Sequence, residues 1–154
     1  MIVKSASRFL NRRARTIDHL VEEAMRRIGD DPDAPPFAMV DDGQTVLFDL
    51  VYPPGEAPGS YGAALKVLAS VPSQTQLLAV VSASPAPQGS LVSHLVLVLA
   101  SDRESPHSYM LAQACRRGAS ETLVRSGPLE FVDVFPRLLG RAPAGVRGPT
   151  LTVA

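Results

Sequence analysis

Three features of this 154-residue chain point to an α+β fold, an antiparallel or mixed five- to six-stranded sheet with a long N-terminal helix and a second shorter helix. The first is a pair of apolar runs, Leu77-Leu-Ala-Val-Val81 and Leu95-Val-Leu-Val-Leu-Ala100, that do not alternate. A strand with one wet face alternates apolar and polar residues, so both faces of these two should be covered. They read as the centre of a sheet. The second feature is an unbroken helical stripe near the N-terminus. The third is an Asp-Gly turn between two strand-like runs.

The stripe comprises Leu10, Ala14, Ile17, Val21, Ala24 and Ile28, at spacings of 4, 3, 4, 3 and 4. That period predicts a helix over residues 7–28, capped by Ser7 and ended by Gly29. Asp30-Asp-Pro-Asp-Ala-Pro-Pro36 then breaks it. Strands are expected at 37–40 and 45–52, joined through Asp41-Asp-Gly-Gln44, where Gly supplies positive φ. After a Pro/Gly-rich loop, Ser60 is placed to cap a short helix over 61–71, with Ala64, Leu65, Leu68 and Ala69 turned inward. The central strands follow at about 75–82 and 91–100.

Residues 106–117 read either way. Ser105-Pro106 and a closing Arg116-Arg117-Gly118 suit helix ends, whereas Ser101-Asp-Arg-Glu-Ser105 suits a turn into a returning strand. A central strand needs two neighbours, which favours the strand. A short strand is expected at 121–125. Pro136 forbids a regular helix through 129–139, leaving one helical turn at 136–139. The domain then spans 1–140, with a Gly/Pro-rich tail over 141–154. The alternating Pro149-Thr-Leu-Thr-Val153 within that tail suits addition to a sheet edge.

Composition narrows the function classes. Formal net charge is zero, which disfavours a protein that coats nucleic acid generally. Thirteen Arg against two Lys reads as the bias of a GC-rich bacterial genome. The lone Cys115 cannot form a disulfide within the chain and fits a reducing cytoplasm. No apolar stretch reaches the roughly 18 residues of a bilayer span. The N-terminus lacks a secretory apolar core. Its Arg-rich, acid-poor start has the composition of a transit peptide, yet it runs directly into the helical stripe.

No phosphate loop, dinucleotide fingerprint, nucleophile elbow or histidine pair at metal-ligand spacing is present. Catalytic residues, metal ligands and cofactors are therefore expected to be none. His94 in a central strand suits a half-buried imidazole bonded to backbone. His107 suits a solvated turn, and His19 an exposed helix face. Ser82 and Ser84 follow a central strand, where a nucleophile would need a base from His94 or His107. Cys115 is flanked by Arg116 and Arg117, which would lower a thiol pKa, but a buried small thiol is the simpler reading.

One cluster has an evident external use. Lys4, Arg8, Arg12, Arg13 and Arg15 carry five positive charges before the first acid at Asp18. Arg8, Arg12 and Arg15 fall on one helix face at i, i+4 and i+7. Such a row suits phosphates or an acidic protein surface, and only Phe9 is near for stacking. Arg8, Arg12, Arg13 and Arg15 are the candidate binding residues.

The element order resembles that of the roadblock and profilin-like sandwiches. Pro36-Phe-Ala-Met-Val-Asp-Asp-Gly43, Leu97-Val-Leu-Ala-Ser-Asp-Arg103 and Gly127-Pro-Leu-Glu130 resemble segments of small bacterial α/β proteins, over about two thirds of the chain. These are turn-and-strand patterns, and the resemblance implies a fold without an activity. The expected role is non-enzymatic, an interaction or assembly module with a protein partner or a second copy of itself. A nucleic-acid-associated accessory protein using the N-terminal arginines is the alternative, and a small hydrolase the third. Two central strands with only two helices to cover them leave apolar area that a second copy would cover most simply.

Overall fold

The structure is a computed structural model that describes residues 2–43, 46–50, 60–72 and 74–139, with side chains described at 4–43, 60–72 and 74–139. The chain runs α1 (Ile2–Asp30), β1 (Phe37–Asp41), β2 (Val46–Leu50), α2 (Tyr61–Leu68), β3 (Leu77–Pro85), β4 (His94–Asp102), β5 (His107–Arg117), β6 (Leu123–Arg125) and β7 (Glu130–Pro136). The fold is α+β. The strand order is β2-β1-β3-β4-β5, with β6 and β7 both on the far side of β5. Every pairing is antiparallel.

The two unalternating runs occupy β3 and β4 at the sheet centre, paired along nine residues. Strand alternation divides their side chains between two cores. Leu77, Ala79, Val81, Val96, Val98 and Ala100 pack beneath α1. Leu78, Val80 and Leu99 pack with α2 and with Leu138 and Leu139.

The 106–117 ambiguity resolves as β5, eleven residues long. Its length requires two strands opposite: β6 pairs with Cys115–Arg117 and β7 with residues 107–112. The buried Gln113 holds the break between them. Its amide donates to the carbonyls of Ala114 (3.0 Å) and Gly127 (2.9 Å). Gly127 has φ +81, which glycine adopts without Cβ strain.

Several boundaries and faces differ from the sequence reading. Helix α1 begins well before Ser7, so Ser7 does not cap it, and it continues through Gly29 to Asp30. At 29 residues it is about 43 Å long. Its inward stripe is Ala6, Phe9, Ile17, Leu20, Val21, Ala24 and Ile28, whereas Ala14 is exposed and Leu10 only half-buried. Phe9 buries far more area than Ala14, and its ring meets Tyr109 of β5 at 5.1 Å. That contact sets the rotation of the first half of the helix.

Ser60 does cap α2, accepting from the Ala63 N–H at 3.0 Å. That helix ends at Leu68 and buries Ala63, Ala64 and Val67. Leu65, expected inward, is 47% exposed, and Ala69 is exposed. The stacking of Tyr61 on Phe135 at 5.4 Å fixes the orientation of this short helix.

No helical turn forms at 136–139. Residues 130–136 are strand β7, and Pro136 stands at its end, where its missing N–H breaks no ladder. The next residues fold back as a strap over the α2 side of β4. The buried Ser101 hydroxyl accepts from the Leu138 and Leu139 N–H groups at 3.2 and 3.1 Å. The strand expected over 45–52 forms as β2 across Val46–Leu50, while its ends and the 141–154 tail lie outside the described residues.

Candidate functional site

The N-terminal arginines meet the end of β4. Asp102 closes that strand with a fully buried side chain. Arg12 and Arg13 converge on it from α1. Arg13 Nε donates to Asp102 Oδ2 at 3.0 Å. Arg12 Nε and Nη2 reach Oδ2 and Oδ1 at 3.2 and 3.3 Å, and Nη2 also donates to Ser105 Oγ at 2.7 Å. Burial alone would raise the Asp102 pKa. The Ser105 and Arg13 hydrogen bonds, with the charges of both arginines, outweigh it, so the carboxyl lies below its usual range. Glu104 adds an exposed partner, 3.1 Å from Arg12 Nε and 3.6 Å from Arg13 Nη2.

The four expected binding residues are thus divided. Arg12 and Arg13 fasten the helix to the sheet. Arg8 and Arg15 are exposed and make no ion pair among the described residues. Arg8, Arg12, Glu104, Ser105 and His107 line a cavity of about 300 Å³. Tyr109 donates its hydroxyl to Ser5 Oγ at 2.7 Å, at the helix wall of the same cavity. Asp102, Ser105 and Tyr109 were not singled out from sequence. An acid ending an otherwise apolar strand, after a basic helix, is the one signal that points to Asp102.

The nucleophile candidates do not assemble. Ser84 lies opposite Leu95 and Pro85 opposite His94, so Ser84 and His94 point to opposite faces of the sheet. His94 is buried and bonds the Ser93 hydroxyl at 3.0 Å rather than backbone. Cys115 is its direct cross-strand neighbour. An activated thiolate–imidazolium pair would have a lowered Cys pKa and a raised His pKa. Here burial raises the Cys115 pKa against the opposing pull of Arg125. Burial, with the Arg117 charge, lowers that of His94. Both groups are therefore held neutral near pH 7. His107 stands eight residues from Cys115 along β5, about 27 Å away. His19 is exposed, as expected. No grouping of three metal-ligating side chains occurs among the described residues.

The α2 side of the sheet presents a second candidate. Leu95 and Leu97 share the face of Leu99 but lie beyond α2, and both are only half-buried. Ala112 and Ala114 are paired beside them on β5 and are also half-buried. The β7 edge, by contrast, is blunted. Asp133 Oδ1 accepts from the Val134 N–H at 2.8 Å, Pro136 offers no N–H, and a register shift opposite Met110 and Leu111 interrupts the ladder.

No helix among the described residues is long and apolar enough to cross a membrane. No family model, curated protein or solved structure matches the chain.

Proposed function

We propose that the protein is a small non-enzymatic assembly module whose half-covered sheet face, centred on Leu95 and Leu97, docks against a second copy of itself. The supporting observation is that apolar strip: Leu95, Leu97, Ala112 and Ala114 lie side by side where α2 is short, with Glu130 and Arg116 at its border. Such a face is self-complementary, so a two-fold pairing meets like with like. The zero net charge adds no long-range repulsion between copies. The blunted β7 edge favours face-to-face contact over strand addition on that side. A lone thiol and the lack of a spanning helix among the described residues support placing this role in the cytoplasm.

Light scattering at micromolar concentration tests the reading. The expected mass is twice the 16.4 kDa of one chain. Ala112→Lys with Leu95→Lys should return the single-chain mass while circular dichroism stays unchanged. A wild-type monomer at that concentration overturns the proposal.

A further inference from the structure

The cavity between the start of α1 and the β4–β5 turn has chemistry that the apolar face does not explain. Two guanidiniums, Arg12 and Arg13, meet two carboxylates, Asp102 and Glu104, and a third, that of Arg8, lines the cavity beside them. One of those carboxylates is sealed within the protein. The other, Glu104, is 61% exposed and, among the described residues, is held by its contacts to Arg12 and Arg13. Arg12 is pre-positioned, because Asp102 and Ser105 occupy its Nε and Nη2. Its Nη1 makes no hydrogen bond among the described residues. Arg8 stands one helical turn earlier, exposed, on the cavity wall, and the half-buried His107 lines the wall formed by β5.

We propose that this cavity binds the phosphate group of a small ligand, with Arg8 and Arg12 as the cationic clamp, His107 as a further donor, and Glu104 as a displaceable occupant. Arginine forks match phosphate oxygens in pairs, and a guanidinium already oriented by a buried carboxylate loses little freedom on binding. The volume of about 300 Å³ is the lower end of small-molecule sites. It admits a phosphate and a small organic body. The concave wall and the nearby Glu104 carboxylate suit a discrete ligand better than a duplex backbone. When the phosphate enters, Glu104 leaves Arg12 and turns into solvent.

Nuclear magnetic resonance titration of the full chain with inorganic phosphate tests this, with sodium chloride at matched ionic strength as the control. Saturable shifts of the His107 ring and the Arg8 and Arg12 Nε signals are expected with phosphate and not with chloride. Arg8→Ala should weaken binding at least tenfold. Glu104→Gln should tighten it several-fold by removing the competitor. Both side chains are exposed, so both variants should keep the wild-type backbone spectrum. A linear response equal to that of chloride, or unchanged affinity in Arg8→Ala, overturns the proposal. A duplex oligonucleotide that binds more tightly than phosphate, with a salt slope of several charges, overturns it in favour of a nucleic-acid backbone.

Discussion

The two faces of the sheet are built to different standards. Under α1, eighteen buried apolar side chains form one cluster among the described residues. That helix crosses β3, β4, β5 and β6. The polar groups that enter beside it, Tyr109, Gln113 and Asp102, each have a hydrogen-bond partner. Under α2 the corresponding cluster has nine members, two of them from the strap at 138–139. Leu95 and Leu97 lie beyond its reach. The same strands supply both faces, so strand composition does not cause the difference. Helix length does. A 29-residue helix can span four strands, whereas eight residues, about 12 Å, cannot. The first face is closed by its helix, and the second leaves Leu95 and Leu97 half-buried.

Substitutions should separate these roles, and Phe9→Ala should have the largest effect. The ring is fully buried against Tyr109, so about 3–5 kcal/mol should be lost in urea unfolding. Leu65→Ala on the α2 side, at 47% exposure, should cost under about 1 kcal/mol. Equal losses would erase the distinction between the faces.

Next in size is Asp102→Asn, which leaves two guanidiniums facing an amide. Both arginines retain some contact with water, so a loss of about 2–4 kcal/mol is expected. Its pH signature is specific. The folded carboxyl titrates below its usual value, near 3.9 when unfolded. Its contribution is present above that value and lost as pH falls through the folded pKa. The wild type should therefore weaken below about pH 4, and the variant should lose that step.

His94 contributes a smaller step at higher pH. Its pKa is lowered by burial and by Arg117, so the unfolded chain takes up the proton first. Stability should start to fall below about pH 6.5. His94→Gln should flatten that part of the profile in thermal melts while leaving the acid step. A wild-type profile flat between pH 7 and 5 would contradict the assignment.

The smallest effect is expected at Glu121, in the turn before β6. Its φ is +65, a conformation that costs a side-chain-bearing residue about 1 kcal/mol. Glu121→Gly should raise stability by a few tenths of a kcal/mol to about 1 kcal/mol, after its own entropy cost. A drop in melting temperature would show that the carboxylate has a role there.

Local chemistry made much of this fold readable in advance. Gly43 at φ +95 with its N–H on Asp41 Oδ1, the Ser60 cap, and the double-sided burial of β3 are all written in neighbouring residues. The rotation of α1 was not. Both the Leu10–Ala14–Ile17 and the Ala6–Phe9–Ile17 series satisfy a helical period, and only the ring of Tyr109 decides between them. The partners of the arginines were hidden for the same reason. Arg12 and Arg13 look like a solvated row until Asp102, 90 and 89 residues later, arrives beside them. Leu138 and Leu139 lie beyond Pro136, where no periodicity marks them as core.

Those separations also set a timetable for synthesis. Helix α1 leaves the ribosome before any of its partners exists. Asp102 follows Arg12 by 90 residues, Tyr109 follows Ser5 by 104, and Arg125 follows Asp18 by 107. At roughly 5–20 residues per second, the apolar stripe waits on the order of 5–20 seconds for its sheet. During that interval the basic first half of the helix keeps the nascent segment charged and hydrated, and the stripe is open to holding chaperones. Docking of α1 is therefore a late event of translation, and a chain halted before β3 would carry its longest helix unclaimed.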